Sequence, residues 1–268
     1  MFAGFIRYKA VLAYQGTCFE GWQSQLHGRT VQDYIERILY KLFGKKQAVI
    51  GASRTDSGVH AYGQVFTFYA PNIIEKDRLL FILNSNFSDV LFIRSLELAE
   101  STFHPQYDAR KKVYQYSFTF EKQLPHRSPF VFFKRQKIDV IYFSQLLDSF
   151  KGTYDFRLFS FLTSEKTDTI RTIYDVRCAL HEANIFVVTF VGSGFLRYMI
   201  RKIIGFLFLA VHKRYDVSIV KKILSHSESK PIMIPIAPPE GLVLTDIFYD
   251  LRVLQSYENP FFRKSNDF

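Results

Sequence analysis

Cysteine is scarce in this chain of 268 residues. Cys18 and Cys178 stand far apart with no CxxC pair, which excludes a zinc ribbon and a disulfide-built scaffold. Long apolar runs are missing as well. The longest, IIGFLFLAVH from Ile203 to His212, is flanked by Lys202 and Lys213 and is about half of what a spanning helix needs. It reads as a core helix. The opening MFAGFIRYKAVLAY carries Arg7 and Lys9 inside its apolar stretch and offers no small-residue cleavage signal. The expectation is a reduced cytoplasmic protein with no membrane contact. Signatures of cofactor and hydrolase chemistry are absent too: there is no GxGxxG, Walker loop, HExxH or GxSxG. The seven histidines are scattered without ligand spacing, so no metal site is expected. Ser57, Asp56 and His60 share one short loop, and a nucleophile–base–orienter relay needs a geometry that such close neighbours rarely provide.

What the chain does have is positive charge and aromatic rings. Lys and Arg number 35 against 25 Asp and Glu, for a net charge of +10, and the surplus sits mainly from Lys111 onward. A basic balance of this kind suggests a polyanionic partner. Sixteen Tyr, 29 Phe and one Trp supply faces on which nucleobases stack, or, on the plainer reading, fill a core. With 48% hydrophobic and 22% charged residues, wholesale disorder is excluded, and the length suits one large or two medium domains.

The periodicities suggest strand–helix–strand units in both halves. Arg7–Tyr14 reads as a strand. Thr30 then caps a helix whose apolar face is Val31, Tyr34, Ile35, Ile38, Leu39 and Leu42, and Gly44 ends it. Strands are expected at Gln47–Ala52 and Val65–Tyr69, a helix at Lys76–Leu83 and a strand at Leu91–Leu98. Farther on, a strand is expected at Lys112–Phe120 and a helix from Asp139 to Phe150. A hairpin follows at Asp175–Leu180 and Ile185–Val191, around the turn HEAN. Helices then span Phe195–Leu209 and Asp216–Leu224, and a closing strand runs from Leu242 to Val253. The expected architecture is α+β, with two similar α/β halves joined near Glu100–Arg110. Residues 1–105 form one half and residues 106–268 the other.

Between two apolar strands lies Arg54-Thr55-Asp56-Ser57-Gly58-Val59-His60-Ala61. Read alone, an Asp flanked by Arg, Ser and Gly is most often a turn-former. The loop nevertheless resembles the RTDxGVHA motif of the tRNA pseudouridine synthase A (TruA) family, and four further blocks match in order. Tyr14-Gln15-Gly16, Phe19 and Gly21-Trp22-Gln23-Ser24-Gln25 resemble the family's YDGxxFxGWQxQ opening. Phe103-His104-Pro105, Tyr107-Asp108-Ala109-Arg110, Tyr114 and Tyr116 resemble FHPRYDA…YxY. Gly192–Gly205, GSGFLRYMIRKIIG, resembles GxxFLRxMVRxxxG. Ala237-Pro238-Pro239-Glu240-Gly241-Leu242 resembles APPxGL. The chain departs from the pattern at Ser53, where the family usually has Gly, at Ser57, often Ala, and at Gln15, usually Asp. Ser53 would resist backbone dihedrals that Gly permits.

The resemblance implies a pseudouridine synthase fold, with a continuous, mostly antiparallel sheet flanked by helices and an active cleft between the halves. It implies conversion of uridine to pseudouridine at positions 38, 39 and 40 of the tRNA anticodon stem-loop, by a homodimer that needs no cofactor. Asp56 would be the catalytic nucleophile, acting on a base extracted from its stem. Arg54 would fill the vacated place, where a planar guanidinium can stack and also bind phosphate. Tyr114 would stack on the target uracil and Leu242 would pack on its other side. Arg201 would pair with Asp56, opposing the upward pKa shift that desolvation causes. Arg197, one turn before Arg201, would share its helix face and bind substrate. Phe103, His104, Trp22 and the GWQSQ segment would serve as scaffold or substrate support. A solvated basic stripe is the ordinary reading of the two arginines, and a buried strand residue that of Tyr114. A non-catalytic RNA-binding protein of the same fold is the functional alternative.

Overall fold

A computed structural model of the chain describes residues 6–161, 168–181, 184–227 and 232–250. They form two units. The first runs to Arg110 and resumes at Val243; the second runs from Lys111 to Leu242. The architecture is mixed α+β, with mostly antiparallel sheet flanked by helices.

In the first unit, β1 (Ile6–Tyr14) lies between β3 (His60–Ala70) and β4 (Leu91–Leu98), antiparallel to both, with Ala10 opposite Phe66 on one side and Leu96 on the other. Alternation along β1 buries Tyr8, Ala10, Leu12 and Tyr14. The short β2 (Ile50–Gly51) pairs antiparallel with β3. The late strand β10 (Leu242–Phe248) runs parallel to β3, with Val243 opposite His60 and Leu244 opposite Ala61. Helix α1 (Val31–Phe43) has the bounds its pattern calls for. Thr30 accepts a hydrogen bond from the Asp33 amide, Gly44 closes the helix in the left-handed conformation, and Val31, Ile35, Ile38 and Leu39 are buried. Glu75 caps α2 (Lys76–Asn86), which buries Leu79 and Leu83 and packs against β4.

The second unit orders β5 (Lys111–Thr119), β9 (Ile185–Gly192), β8 (Ile170–His181) and β7 (Gly152–Asp155) as an antiparallel sheet, with β6 (Phe132–Phe133) parallel to β5. Helix α3 (Val140–Asp148) packs on β8 and on α4 (Met199–Lys213); α5 (Ser218–Leu224) follows. Phenylalanine fills this core. Phe118 stacks on Phe186 at 5.3 Å and meets Phe208 at 5.2 Å and Phe143 at 5.6 Å, while Phe159 lies 5.1 Å from Phe150 and 5.7 Å from Phe206. The apolar run Ile203–His212 is the middle of α4, with most of its side chains buried, as a core helix requires.

Several bounds differ from the periodicity. The strand expected at Gln47–Ala52 forms only at Ile50–Gly51. β3 begins at His60, five residues before Val65, because Ala61 pairs with Tyr14 and with Leu244. The helix expected from Phe195 starts at Met199. Phe195 instead turns its ring edge-on to Tyr114 at 5.3 Å, and Tyr198 takes a left-handed backbone at φ 62°. Arg197 therefore precedes α4 and does not share a helix face with Arg201. The hairpin strands form, whereas residues 182–183 of the HEAN turn lie outside the described residues. So do Leu251–Val253 of the closing strand.

A backbone crossing fixes the position of α4. Gly205 sits against the Pro235 carbonyl so closely that a Cβ there would stand 2.2 Å from the oxygen. Gly205→Ala must push the helix and the 235–237 segment apart, costing about 1–3 kcal/mol. The melting temperature should fall by roughly 3–10 °C, which circular dichroism on heating would measure.

Candidate active site

In the first unit, the segment Ser53–Val59 leaves β2 and enters β3 as a turn. The Val59 amide donates to the Asp56 carbonyl at 3.1 Å, and Gly58 takes the positive φ of 79° that such a turn asks of its third residue. The opening segment of the chain then braces this turn. The Trp22 amide donates to the Thr55 carbonyl at 3.1 Å, the Gly58 amide to the Phe19 carbonyl at 3.4 Å, and the Gly16 amide to His60 Nδ1 at 3.1 Å. The Tyr14 and Thr55 hydroxyls are 2.7 Å apart. Trp22, 2% exposed, sits behind the loop among Tyr14 and Phe66. Its support is structural, which narrows one expectation for the GWQSQ segment.

From β3, the fully buried Gln64 reaches back to Ser53, accepting from its amide at 3.2 Å and donating to its carbonyl at 2.7 Å. Ser53 is not among the described non-glycine residues with positive φ, so serine meets no strain at this departure from the family pattern. The fixed ends leave Asp56 half-buried and Arg54 exposed on a single loop. His60 is buried, and its Nδ1 accepts from the Gly16 amide.

In the second unit, Arg201 and Tyr116 converge on the segment Ala237–Leu242. Arg201, in the first turn of α4, donates from Nε to the Ala237 carbonyl at 2.8 Å, and the Ala237 amide donates to the Arg201 carbonyl at 2.9 Å. Tyr116 on β5 donates from its hydroxyl to the Pro238 carbonyl at 3.0 Å. Burial, with Glu240 adding and Arg201 opposing, pushes the Tyr116 phenol well above its ordinary range and keeps it a donor. A short 3-10 turn, Pro239–Gly241, then delivers Leu242, 5% exposed, at the start of β10. Tyr114 lies two residues before Tyr116, on the same face of β5, and is buried. Arg197 is exposed, over the rings of Phe161 and Tyr198. The bracing roles of Tyr14, Gln64 and Tyr116 were invisible in the sequence, because each acts on a residue distant in the chain: Tyr14 on the Thr55 hydroxyl, Gln64 and Tyr116 on backbone groups.

Comparison with known proteins supplies the class first. Residues 146–250 match the family model described as tRNA pseudouridine synthase. Curated proteins named tRNA pseudouridine synthase A align along almost their whole length. That of Clostridium kluyveri is 34% identical over 90% of this chain and 98% of its own. The Acetivibrio thermocellus protein is 35% identical over 90% and 98%, and the Thermodesulfovibrio yellowstonii protein 33% identical over 91% and 100%. The chain belongs to the tRNA pseudouridine synthase A family.

Removing the Gln64 amide tests the brace. Gln64→Leu strands the two Ser53 backbone groups, so it should cost about 1–3 kcal/mol by chemical denaturation and lower turnover through the displaced loop. Lys112 offers a pH test. It lies on the same strand face as Tyr114, and burial, aided by the Arg171 charge, lowers its ammonium pKa to about 8. The penalty for charging it in the folded state is fully present below pH 8. It is relieved as the pH rises toward the ordinary lysine range, so stability rises across that window. Lys112→Met should be more stable than wild type at pH 7, with the difference shrinking between pH 8 and 10, as denaturation midpoints would show.

Proposed function

We propose that this protein isomerises uridine to pseudouridine in tRNA, at positions 38, 39 and 40 of the anticodon stem-loop, with Asp56 as nucleophile. The reaction breaks the N1–C1′ bond, turns the uracil and joins C5 to C1′; the C5 hydrogen leaves as a proton and the freed N1 takes one up. No electron is gained or lost, and no cofactor is needed. The observation that carries this reading is the loop around Asp56, whose carboxylate is half-buried on a turn held at Ser53, Thr55, Gly58 and His60. Such preorganisation suits a group that must meet one atom of an extracted base.

Each remaining residue has a role in the same scheme. Arg54, exposed beside Asp56, takes the place of the extracted base. Tyr114 stacks on the uracil and Leu242 packs on its far side. Arg201 supplies the counter-charge that keeps Asp56 ionised. Its Nε is already committed to Ala237, which fixes the orientation of the guanidinium. Arg197 binds the RNA. Addition to C6, attack at C1′ and proton removal from C2′ each call for one ionised carboxylate beside a stacked base. In this proposal the protein works in the cytoplasm as a homodimer, which presents tRNA with a longer basic surface.

Tritium release from tRNA labelled at uridine C5 reports the chemistry directly. Wild type should release the label, and Asp56→Asn should lose more than about 10³-fold in rate. The variant should still bind tRNA within about threefold of wild type, because phosphate contacts dominate affinity. Near-normal release by Asp56→Asn would remove Asp56 from the centre of the mechanism. Binding without release by wild type would favour the non-catalytic RNA-binding alternative.

A further inference from the structure

Among the described phenylalanines of the second unit, Phe133 and Phe161 alone are exposed, Phe161 the more so at 54%. It belongs to a compact group. The Phe161 amide donates to the Arg197 carbonyl at 3.1 Å, and its ring meets that of Tyr198 edge-on at 6.1 Å. The exposed guanidinium of Arg197 lies 5.1 Å from the Phe161 ring and 4.9 Å from the Tyr198 ring, and it donates to the Tyr198 hydroxyl at 3.2 Å. Arg201 lies 5.3 Å from the same Tyr198 ring. Tyr198 occupies the left-handed conformation, at φ 62°, which is costly for a bulky residue and persists only where its surroundings hold it.

This cluster presents planar π-faces and planar cations on one surface. Among the described residues no carboxylate forms an ion pair with Arg197. Lys202 adds another positive charge close by, donating to the carbonyls of Leu158 and Ser160. The exposed Phe161 ring and the half-exposed Tyr198 ring beside the Arg197 guanidinium match what a single-stranded nucleotide requires: a face for the base and a cation for its phosphate. Core packing does not account for a half-exposed ring, and an ordinary solvated arginine would not lie against two aromatic rings.

We propose that Phe161, Arg197 and Tyr198 form a second nucleotide-binding platform, on which an unpaired base of the RNA substrate stacks against Phe161 while Arg197 holds its phosphate. The inference rests on the tRNA reading above and assigns to Phe161 and Tyr198 a role separate from the chemistry at Asp56. The platform anchors the RNA; it does not touch the isomerised base.

Phe161→Trp provides the test, because the single natural tryptophan, Trp22, is buried and contributes a constant background. Titrating full-length Phe161→Trp with tRNA should quench the new indole emission, and heparin, a polyanion without bases, should leave it unchanged. Phe161→Ala should raise the Kd for tRNA, and the KM in tritium release, about tenfold with kcat retained, since the loss lies in binding alone. Phe161→Trp should restore both constants. A merely structural Phe161 would instead lower the melting temperature with no tRNA-dependent quenching. Absence of quenching, or a Kd for Phe161→Ala within twofold of wild type, overturns the platform. If wild type releases no tritium while tRNA still quenches Phe161→Trp, the synthase reading falls and the stacking platform stands.

Discussion

Arg201 and Ala237 exchange two hydrogen bonds, one between backbone groups and one from the guanidinium Nε to the Ala237 carbonyl. This clamp, with the Gly205–Pro235 contact one turn farther along α4, docks the segment that ends in Leu242. Tyr116 secures the same segment from β5 through Pro238. Strand, helix and connecting chain of the second unit thus meet at one set of backbone carbonyls. The positions of Arg201, Leu242 and, through its strand, Tyr114 depend on it. Backbone groups suit this task because they hold position where a long side chain would carry rotamer freedom.

The loop around Asp56 in the first unit is organised similarly, with carbonyls and amides as fixed points and a few buried side chains bridging them. Gln64 and Tyr14 occupy ladder positions on strands, so alternation alone assigns them to the core. Gln64 in fact satisfies the Ser53 amide and carbonyl of the loop, and Tyr14 holds the Thr55 hydroxyl. The carboxylate and the exposed arginine are thereby left at the surface of an otherwise rigid element.

Local patterns were legible where local chemistry decides the outcome. α1 could be bounded at both ends because Thr30 and Gly44 act within one turn of the helix. β4 formed with the bounds Leu91–Leu98 that the sequence marks, and two of the five motif blocks, the opening and the Asp56 loop, pack against each other in the first unit. The α4 boundary was not legible: Phe195 and Leu196 continue the apolar period of the helix, while a tertiary contact with Tyr114 and the left-handed Tyr198 delay its start. That delay also removed the shared helix face expected for Arg197 and Arg201. Composition misled in a different way. Abundant aromatic residues suggested base-stacking surface, yet many of the phenylalanines pack against one another, leaving the case for stacking to a few exposed rings such as Phe161.

The parallel pairing of β10 with the first residues of β3 bears on how the protein comes into being. His60 and Ala61 immediately follow the Asp56 turn, and their partners Val243 and Leu244 are among the last described residues of the chain. During synthesis from the N-terminus, the rest of the first unit's sheet emerges early and can pair locally. The strand beside the turn must wait until Val243 and Leu244, far along the chain from their partners, have left the ribosome. A nascent chain that has not yet reached Val243 therefore carries Asp56 and Arg54 without the neighbouring strand that completes their frame.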